Sequence, residues 1–390
     1  MTKFWTFMSL ISSGLLILFL SGCTDKAKQA KPHPLEQVFQ NQLEDIYTQS
    51  PDAVGILVHI EAPDLGISWS GAVGYIDKER SETLTIDHPA LLASNTKTYV
   101  AAAILRLYED GRLALTDPLG KYLSPQTIAL IKGGGYDTST ITIGHLLNHT
   151  SGIADYNAVD GLFDFLRDQP QHVWTRDEQI TRAMTRGKPL GQAGEHFNYA
   201  DTNYLLLGEI IEQITGQTFY QGVRQLIDYT KQGMNDTWWV ELETRPENTK
   251  ALARQYATAL GLASENMHPS FDLFGGGGIA STARDLGVFT QNLFDGKVYK
   301  TAKTLDIMLV PANPKNPMQG KYMSGLSSID VNGIQGIGHG GFWGSAANYF
   351  PDLNASIAVI VLERDKRVLR RDINQAMVKI LLAEETNTGS

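Results

Sequence analysis

The sequence predicts an α/β fold that carries an all-α insertion: a mostly antiparallel sheet flanked by helices and built from both ends of the chain. Three observations predict it. Strand-like runs, AVGILVHI (53–60) and ISWSGAVGYI (67–76), stand near the N-terminus. A second pair, ANYF (347–350) and SIAVIVLE (356–363), flanks the turn-forming Pro351-Asp352-Leu353-Asn354 near the C-terminus. The long stretch between them reads as mainly helical. One sheet fed by both termini, with a helical lobe inserted, is the economical way to bury these elements.

Length and composition agree with this. The chain has 390 residues, 42% hydrophobic and 19% charged, ordinary for a globular protein with a sizeable core. Net charge is −9, with no basic block or Arg/Lys–aromatic stripe, which argues against a nucleic-acid partner.

From the N-terminus, Lys3 is the only charge in residues 1–22, and residues 7–20 (FMSLISSGLLILFL) form an apolar run. That run is shorter than the roughly 20 residues needed to span a bilayer, so it reads as a secretion signal. Leu20-Ser-Gly-Cys23 resembles the bacterial lipobox, which implies cleavage before Cys23 and lipid on it. This would hold the protein to a membrane of the cell envelope, outside the cytoplasm. Cys23 is the sole cysteine, so no intrachain disulfide can form. Residues 23–34 read as a tether.

Leu35, Val38, Phe39, Leu43, Ile46 and Tyr47 share one helical face, giving an amphipathic first helix. In the second strand run Ile67, Trp69, Val73 and Tyr75 alternate onto one side. The run after Ser94 is rich in Ala and Leu and is stopped by Gly111, which predicts a helix to about Asp110. Another helix is expected from about Asn203 to Thr215, ended by Gly216. The last helix should start near Asp365 and carry Leu369, Ile373, Met377 and Ile380 along one stripe. The expected organisation is a sheet-bearing lobe over about 35–115 and 280–385, and a helical lobe over about 116–279.

Three stretches carry chemistry. Ser94 and Lys97 lie one helical turn apart on the same face, at a helix N-terminus whose positive potential favours a developing alkoxide. A buried, desolvated lysine there can lose its proton and act as base. The alternative is a serine cap beside an exposed lysine. Tyr199 sits in the loop before the second of these helices, where a phenol could share a proton with Ser94 and Lys97; Asp201 or Thr202 could cap that helix. Finally, GIGHGGFWGS (336–345) places glycines around His339 at a strand end, which lets backbone approach a ligand and an N–H polarise a carbonyl.

Taken in this order, Ser94-Asn-Thr-Lys97, Tyr199-Ala-Asp201 and His339-Gly340-Gly341 resemble the motif set of the serine β-lactamase and penicillin-binding superfamily. The closest resemblance is to its class C β-lactamase, D-alanyl-D-alanine carboxypeptidase and esterase branch. HLLNHTSGI (145–153) and FGGGGIASTARDL (274–286) look like the same branch, and the likeness spans about residues 35–385. The resemblance implies a β-lactamase/transpeptidase-like fold with Ser94 as nucleophile and Lys97 and Tyr199 as its proton-handling pair. It implies an oxyanion hole from the N–H groups of Ser94 and Phe342, with no metal and no cofactor.

Two departures from the pattern matter. Asp201 stands where Asn is usual; when ionised it cannot donate to an acylamino carbonyl, and it would hold Lys97 protonated, shifting the base role towards Tyr199. His339 replaces a lysine and would grip a substrate carboxylate more weakly. Both argue against an efficient β-lactamase.

His145 and His149 lack the intervening Glu of a zinc helix, so no metal is expected. The Gly275–Gly278 run reads as a close-packed turn. Trp238, Trp239, Phe342 and Trp343 are candidates for lining a cleft, the last two with the better position. The expected protein is a lipid-anchored serine hydrolase acting on a small peptide, amide or ester, with D-amino-acid wall peptides among the candidates. Its rivals are a catalytically idle wall-binding lipoprotein and a true β-lactamase. The sequence leaves the oligomeric state open.

Overall fold

The computed structural model describes residues 33–312, 321–331 and 333–388. The expected signal, Cys23 and most of the tether lie outside the described residues. Among the described residues, no helix is long and apolar enough to cross a membrane.

The first helix, α1 (Pro34–Gln49), is capped by His33, whose ring accepts from Leu35 N while Glu36 reaches back to the cap backbone. Six strands follow around one sheet: β1 (Gly55–Ala62), β2 (Ile67–Gly74), β3 (Ser327–Val331), β4 (Ile334–Gly340), β5 (Ser345–Phe350) and β6 (Ala355–Val361). Their order is β2-β1-β6-β5-β4-β3 and every pairing is antiparallel. The centre of the sheet joins the two ends of the chain, with Val58 opposite Val359.

The run 53–60 is apolar without alternation because β1 is covered on both faces. Ile56, Val58 and Ile60 pack with Phe39 and Leu43 of α1 on one side, while Leu57 faces the larger core on the other. β2 is an edge strand with one packed face, so Ile67, Trp69 and Val73 are buried and their neighbours are not. The larger core is filled by α2 (Thr96–Glu109), α3 (Asp201–Thr215) and α4 (Ala283–Phe294). The terminal helix, α5 (Leu369–Thr388), joins α1 on the opposite face, burying Ile373 and Met377. It starts later than expected, because a short 3₁₀ turn occupies Arg364–Lys366.

The middle of the chain is mainly helical, as expected, apart from two small sheets among the described residues; one is a two-stranded ribbon, Tyr256–Ala257 with Leu262–Ala263. Ala90–Leu91, Ile279–Ser281 and Trp238–Trp239 form the other, an antiparallel sheet, in pieces too short to register as a period in sequence. It fixes the chain just before Ser94 against the chain just after the glycine run: Leu92 N donates to Ile279 O at 2.8 Å.

Candidate active site

Ser94 stands on a sharp strand-to-helix turn. Ala93 before it holds φ at +46°, a left-handed conformation that costs a residue with a Cβ roughly 1–2 kcal/mol. Residues 93–95 then make a 3₁₀ turn that runs into α2. This geometry lifts Ser94 to half-exposure and sends Lys97 into the interior, where it is 0% exposed.

An ammonium has three protons to give, and Lys97 has three acceptors. Nζ lies 3.0 Å from Ser94 Oγ and 2.6 Å from Gly276 O, and it pairs with the Asp201 carboxylate. Burial alone would lower its proton affinity; Asp201, followed by Tyr199 and Asp272, outweighs burial and raises it. Lys97 is therefore a cation in the resting site. The expected capping role of Asp201 is corrected here. Asp201 is the first residue of α3 and makes no cap hydrogen bond; its side chain turns to Lys97 and also accepts from Asn157 Nδ2.

The Ser94 hydroxyl and the Lys97 ammonium both act on the Tyr199 phenol, and Lys97 Nζ sits 5.2 Å from its ring centroid. Burial raises its phenol above the ordinary value, and the Lys97 charge offsets this only in part. Two further carboxyls crowd the pair. Asp155 Oδ1 accepts from Asp201 N at 3.1 Å. Asp272 lies against Gly277, where a Cβ would come within 2.2 Å of its oxygen. Burial, and then the Asp201 charge, push Asp272 up to about 7 and push Asp155 up as well.

The β4–β5 turn is tied to the nucleophile. Ser345 Oγ lies 2.7 Å from Leu92 O and 2.8 Å from the Asn95 amide. With its nitrogen turned to His339 O, Asn95 donates there at 2.8 Å. Gly341 has no room for a side chain, since a Cβ would meet Leu92 O at 2.2 Å. The close approach leaves Phe342, the next residue, beside the turn that carries Ser94. Arg370 braces the same turn, its Nη1 donating to Ser345 O at 2.5 Å and Gly341 O at 3.3 Å. His339 is neutral: burial, then the Lys97 charge, bring it down to about 4.

The structure thus gathers Ser94, Lys97, Tyr199 and Asp201 around one point and sets His339, Gly340, Gly341 and Phe342 along its edge. Trp343 is not at the cleft. It is 1% exposed, and Trp238 and Trp239 are also core; only Phe342 keeps an open face, stacked on Phe163 with centroids 6.2 Å apart. A cavity of about 590 Å³ opens beside Tyr199 and His339, with Lys321, Arg367, Arg370 and Arg371 in its wall.

Residues 46–381 match the Beta-lactamase family model. The chain belongs to the β-lactamase family. That places it among the β-lactamase-related hydrolases. A relative within reach of sequence is Protein flp of Staphylococcus aureus (strain MW2), 34% identical over 170 residues, which are 42% of this chain and 32% of that protein. The matched stretch therefore spans about a third of that relative's length. Among solved structures, the D-stereospecific amidohydrolase from Streptomyces sp. superposes with a TM-score of 0.71 at 24% identity, over 87% of this chain and 98% of that one. The D-amino acid amidase from Ochrobactrum anthropi SV3 complexed with D-phenylalanine gives 0.72 at 22%, over 89% and 99%. At these identities the two likenesses speak for the β-lactamase fold.

Several residues of this β-lactamase-family site were not singled out from sequence. Gly276 contributes a carbonyl to Lys97; dense glycine beside a strand is the signal for such a backbone approach. Asp155, Asp272, Asn95, Ser345 and Tyr322 carry no local motif.

Proposed function

We propose that this β-lactamase-family protein is a serine hydrolase that forms an acyl-enzyme on Ser94 and cleaves a small peptide, amide or ester. The observation that carries the reading is the convergence of Ser94 Oγ, Lys97 Nζ and the Tyr199 hydroxyl. Lys97 and Tyr199 both hold their protons at rest, so the proton path has to run through an un-ionised phenol. Ser94 Oγ attacks the carbonyl carbon and passes its proton to Tyr199 Oη. Tyr199 gives its own proton to the departing nitrogen or oxygen, whose bond to carbon breaks. Lys97, kept cationic by Asp201, stabilises the negative charge that develops between them. The N–H groups of Ser94 and Phe342 take the carbonyl oxygen. Water repeats the sequence in reverse to free the acyl group.

The D-stereospecific names of two fold neighbours support a D-configured substrate, and the cavity beside Tyr199 gives room for the departing group. Exposure to a fluorophosphonate, a labelled penicillin and a p-nitrophenyl ester, followed by intact-mass analysis, tests the reading. A single adduct that maps to Ser94 is expected from the fluorophosphonate and the ester. The absence of an adduct from all three would favour an idle binding protein.

We also place the chain in the cell envelope through lipid on Cys23. Growth with a palmitate analogue should mark the intact protein and leave a Cys23→Ser variant unmarked. Equal absence of label from both would rule the anchor out.

A further inference from the structure

We infer that His149, Tyr322 and His339 form a one-way hydrogen-bond relay. It fixes His339 as the neutral Nδ1–H tautomer and ties the loop bearing Tyr199 to the strand that forms the oxyanion edge. None of these contacts is fixed by a motif, and the direction of the relay follows from groups that have only one role to play.

At one end, the Ala200 backbone N–H points at His149 Nδ1 from 3.2 Å. An N–H can only donate, so Nδ1 carries no proton; the Asn203 amide nitrogen reaches the same atom at 3.1 Å. The proton of a neutral imidazole then sits on Nε2. His149 Nε2 is 3.2 Å from Tyr322 Oη, so His149 donates to the phenol. At the other end, His339 Nδ1 is 2.8 Å from Gly340 O. A carbonyl can only accept, so His339 Nδ1 carries its proton. His339 Nε2, 3.2 Å from Tyr322 Oη, is left with a lone pair, and Tyr322 donates into it.

The surroundings agree. His149 is 0% exposed and packed between the rings of Tyr199, Tyr204 and Tyr322. Tyr204 directs its own hydroxyl proton to Leu147 O at 2.9 Å, which leaves Tyr322 to serve the histidines. The charge facing both rings is Lys97; at His339 Arg370 adds to it and Asp201 opposes it. The net cationic neighbours and burial disfavour a second proton on either ring.

Two consequences follow. His339 brings neither a positive charge nor an Nε2 proton to a bound substrate, so the residue in the lysine position of the family motif is a strand anchor. Tyr322 and His149 are positioning residues: Ala200, bonded to His149, adjoins Tyr199, and Gly340, bonded to His339, adjoins the oxyanion turn.

The test uses the full-length protein labelled with ¹⁵N-histidine. A long-range ¹H–¹⁵N correlation spectrum reports the protonated nitrogen of each ring, and His149→Gln and His339→Gln variants assign the signals. The expected result is Nε2–H for His149 and Nδ1–H for His339, both unchanged from pH 5 to 9. His339 found as a cation or as Nε2–H at pH 7 overturns the relay, whether or not any substrate is known. In Tyr322→Phe, which keeps the ring, the His339 signal should shift and become pH-dependent above pH 5. Its kcat should fall about tenfold with KM within about twofold, while the Ser94 adduct still forms. Unchanged His339 signals and unchanged kcat in that variant would equally defeat the proposal. The kinetic arm rests on the acyl-enzyme reading; the spectrum does not, so loss of one is distinguishable from loss of the other.

Discussion

Replacing Ser94 by alanine is expected to lower kcat/KM by about 10⁴- to 10⁶-fold, the range that removal of the nucleophile produces when it works as a unit with its proton carriers. Tyr199→Phe should cost a comparable factor, and the double variant little more than either, because each change breaks the same proton path. The serine is a clean target. Its side chain is small and half-exposed, and it is one of three acceptors on Lys97. Alanine there leaves Gly276 O and Asp201 in place, so the thermal midpoint should move by only a few degrees. Calorimetry and ester turnover on the same preparation check both halves. Residual activity above about a tenth of wild type in Ser94→Ala would mean that the acyl group goes elsewhere, and the mechanism proposed above would fall.

Asp201→Asn should have the second-largest effect, in two directions at once. Asp201 is the charge that outweighs burial at Lys97 and the largest charge acting on the neighbouring carboxyls. Without it, burial pulls the Lys97 proton affinity down, and a basic limb should appear in the pH profile of kcat/KM that the wild type lacks below pH 10. The amide also restores a donor for an acylamino carbonyl. Acylation by a penicillin should rise by about tenfold or more, in line with the 1–3 kcal/mol that an unmet hydrogen bond costs. An unchanged penicillin rate would show that the carboxylate is not what excludes that substrate.

Stability should respond in the opposite sense to a typical carboxylate. The Asp272 carboxyl lies at about 7 in the folded chain and near 3.9 when unfolded. Between those values the folded state holds more protons, so stability is lost as pH rises from about 4 to about 7. Wild type should therefore melt higher at pH 5 than at pH 8, and the gap should narrow in Asp201→Asn. A gap of equal size in both proteins would separate the effect from this cluster.

The sequence carried the sheet and the Ser94–Lys97 pair well, for physical reasons. Period-two alternation survives in β2 because one face is packed and the other is wet, and the β5–β6 hairpin is marked by its turn residues. Ser94 and Lys97 are legible because their relation is local, one helical turn. For Asp201 the family pattern already placed a carboxylate near Lys97, and in the fold the two pair across 104 positions of chain; what the sequence could not decide is that the same side chain does not also cap its helix. Asp272, Ser345 and Tyr322 act across the fold and have no spacing that could announce them. His149 illustrates the limit most sharply. With no metal expected at His145 and His149, the sequence left His149 without a role, and what defines it is a backbone N–H from residue 200. The small sheet that seats Ser94 escaped because pieces of two or three residues are shorter than any pattern.

The sheet also sets a timetable. Its central ladder closes β1 against β6, residues 55–62 against 355–361. The first strand to leave the ribosome thus waits for nearly the whole polypeptide before its inner edge finds a mate. Such distant pairing slows folding and leaves an unpaired strand open to wrong partners in the meantime. Under the envelope placement proposed above, the same delay suits export, because a molecule that cannot finish folding during synthesis stays pliable until it reaches the far side.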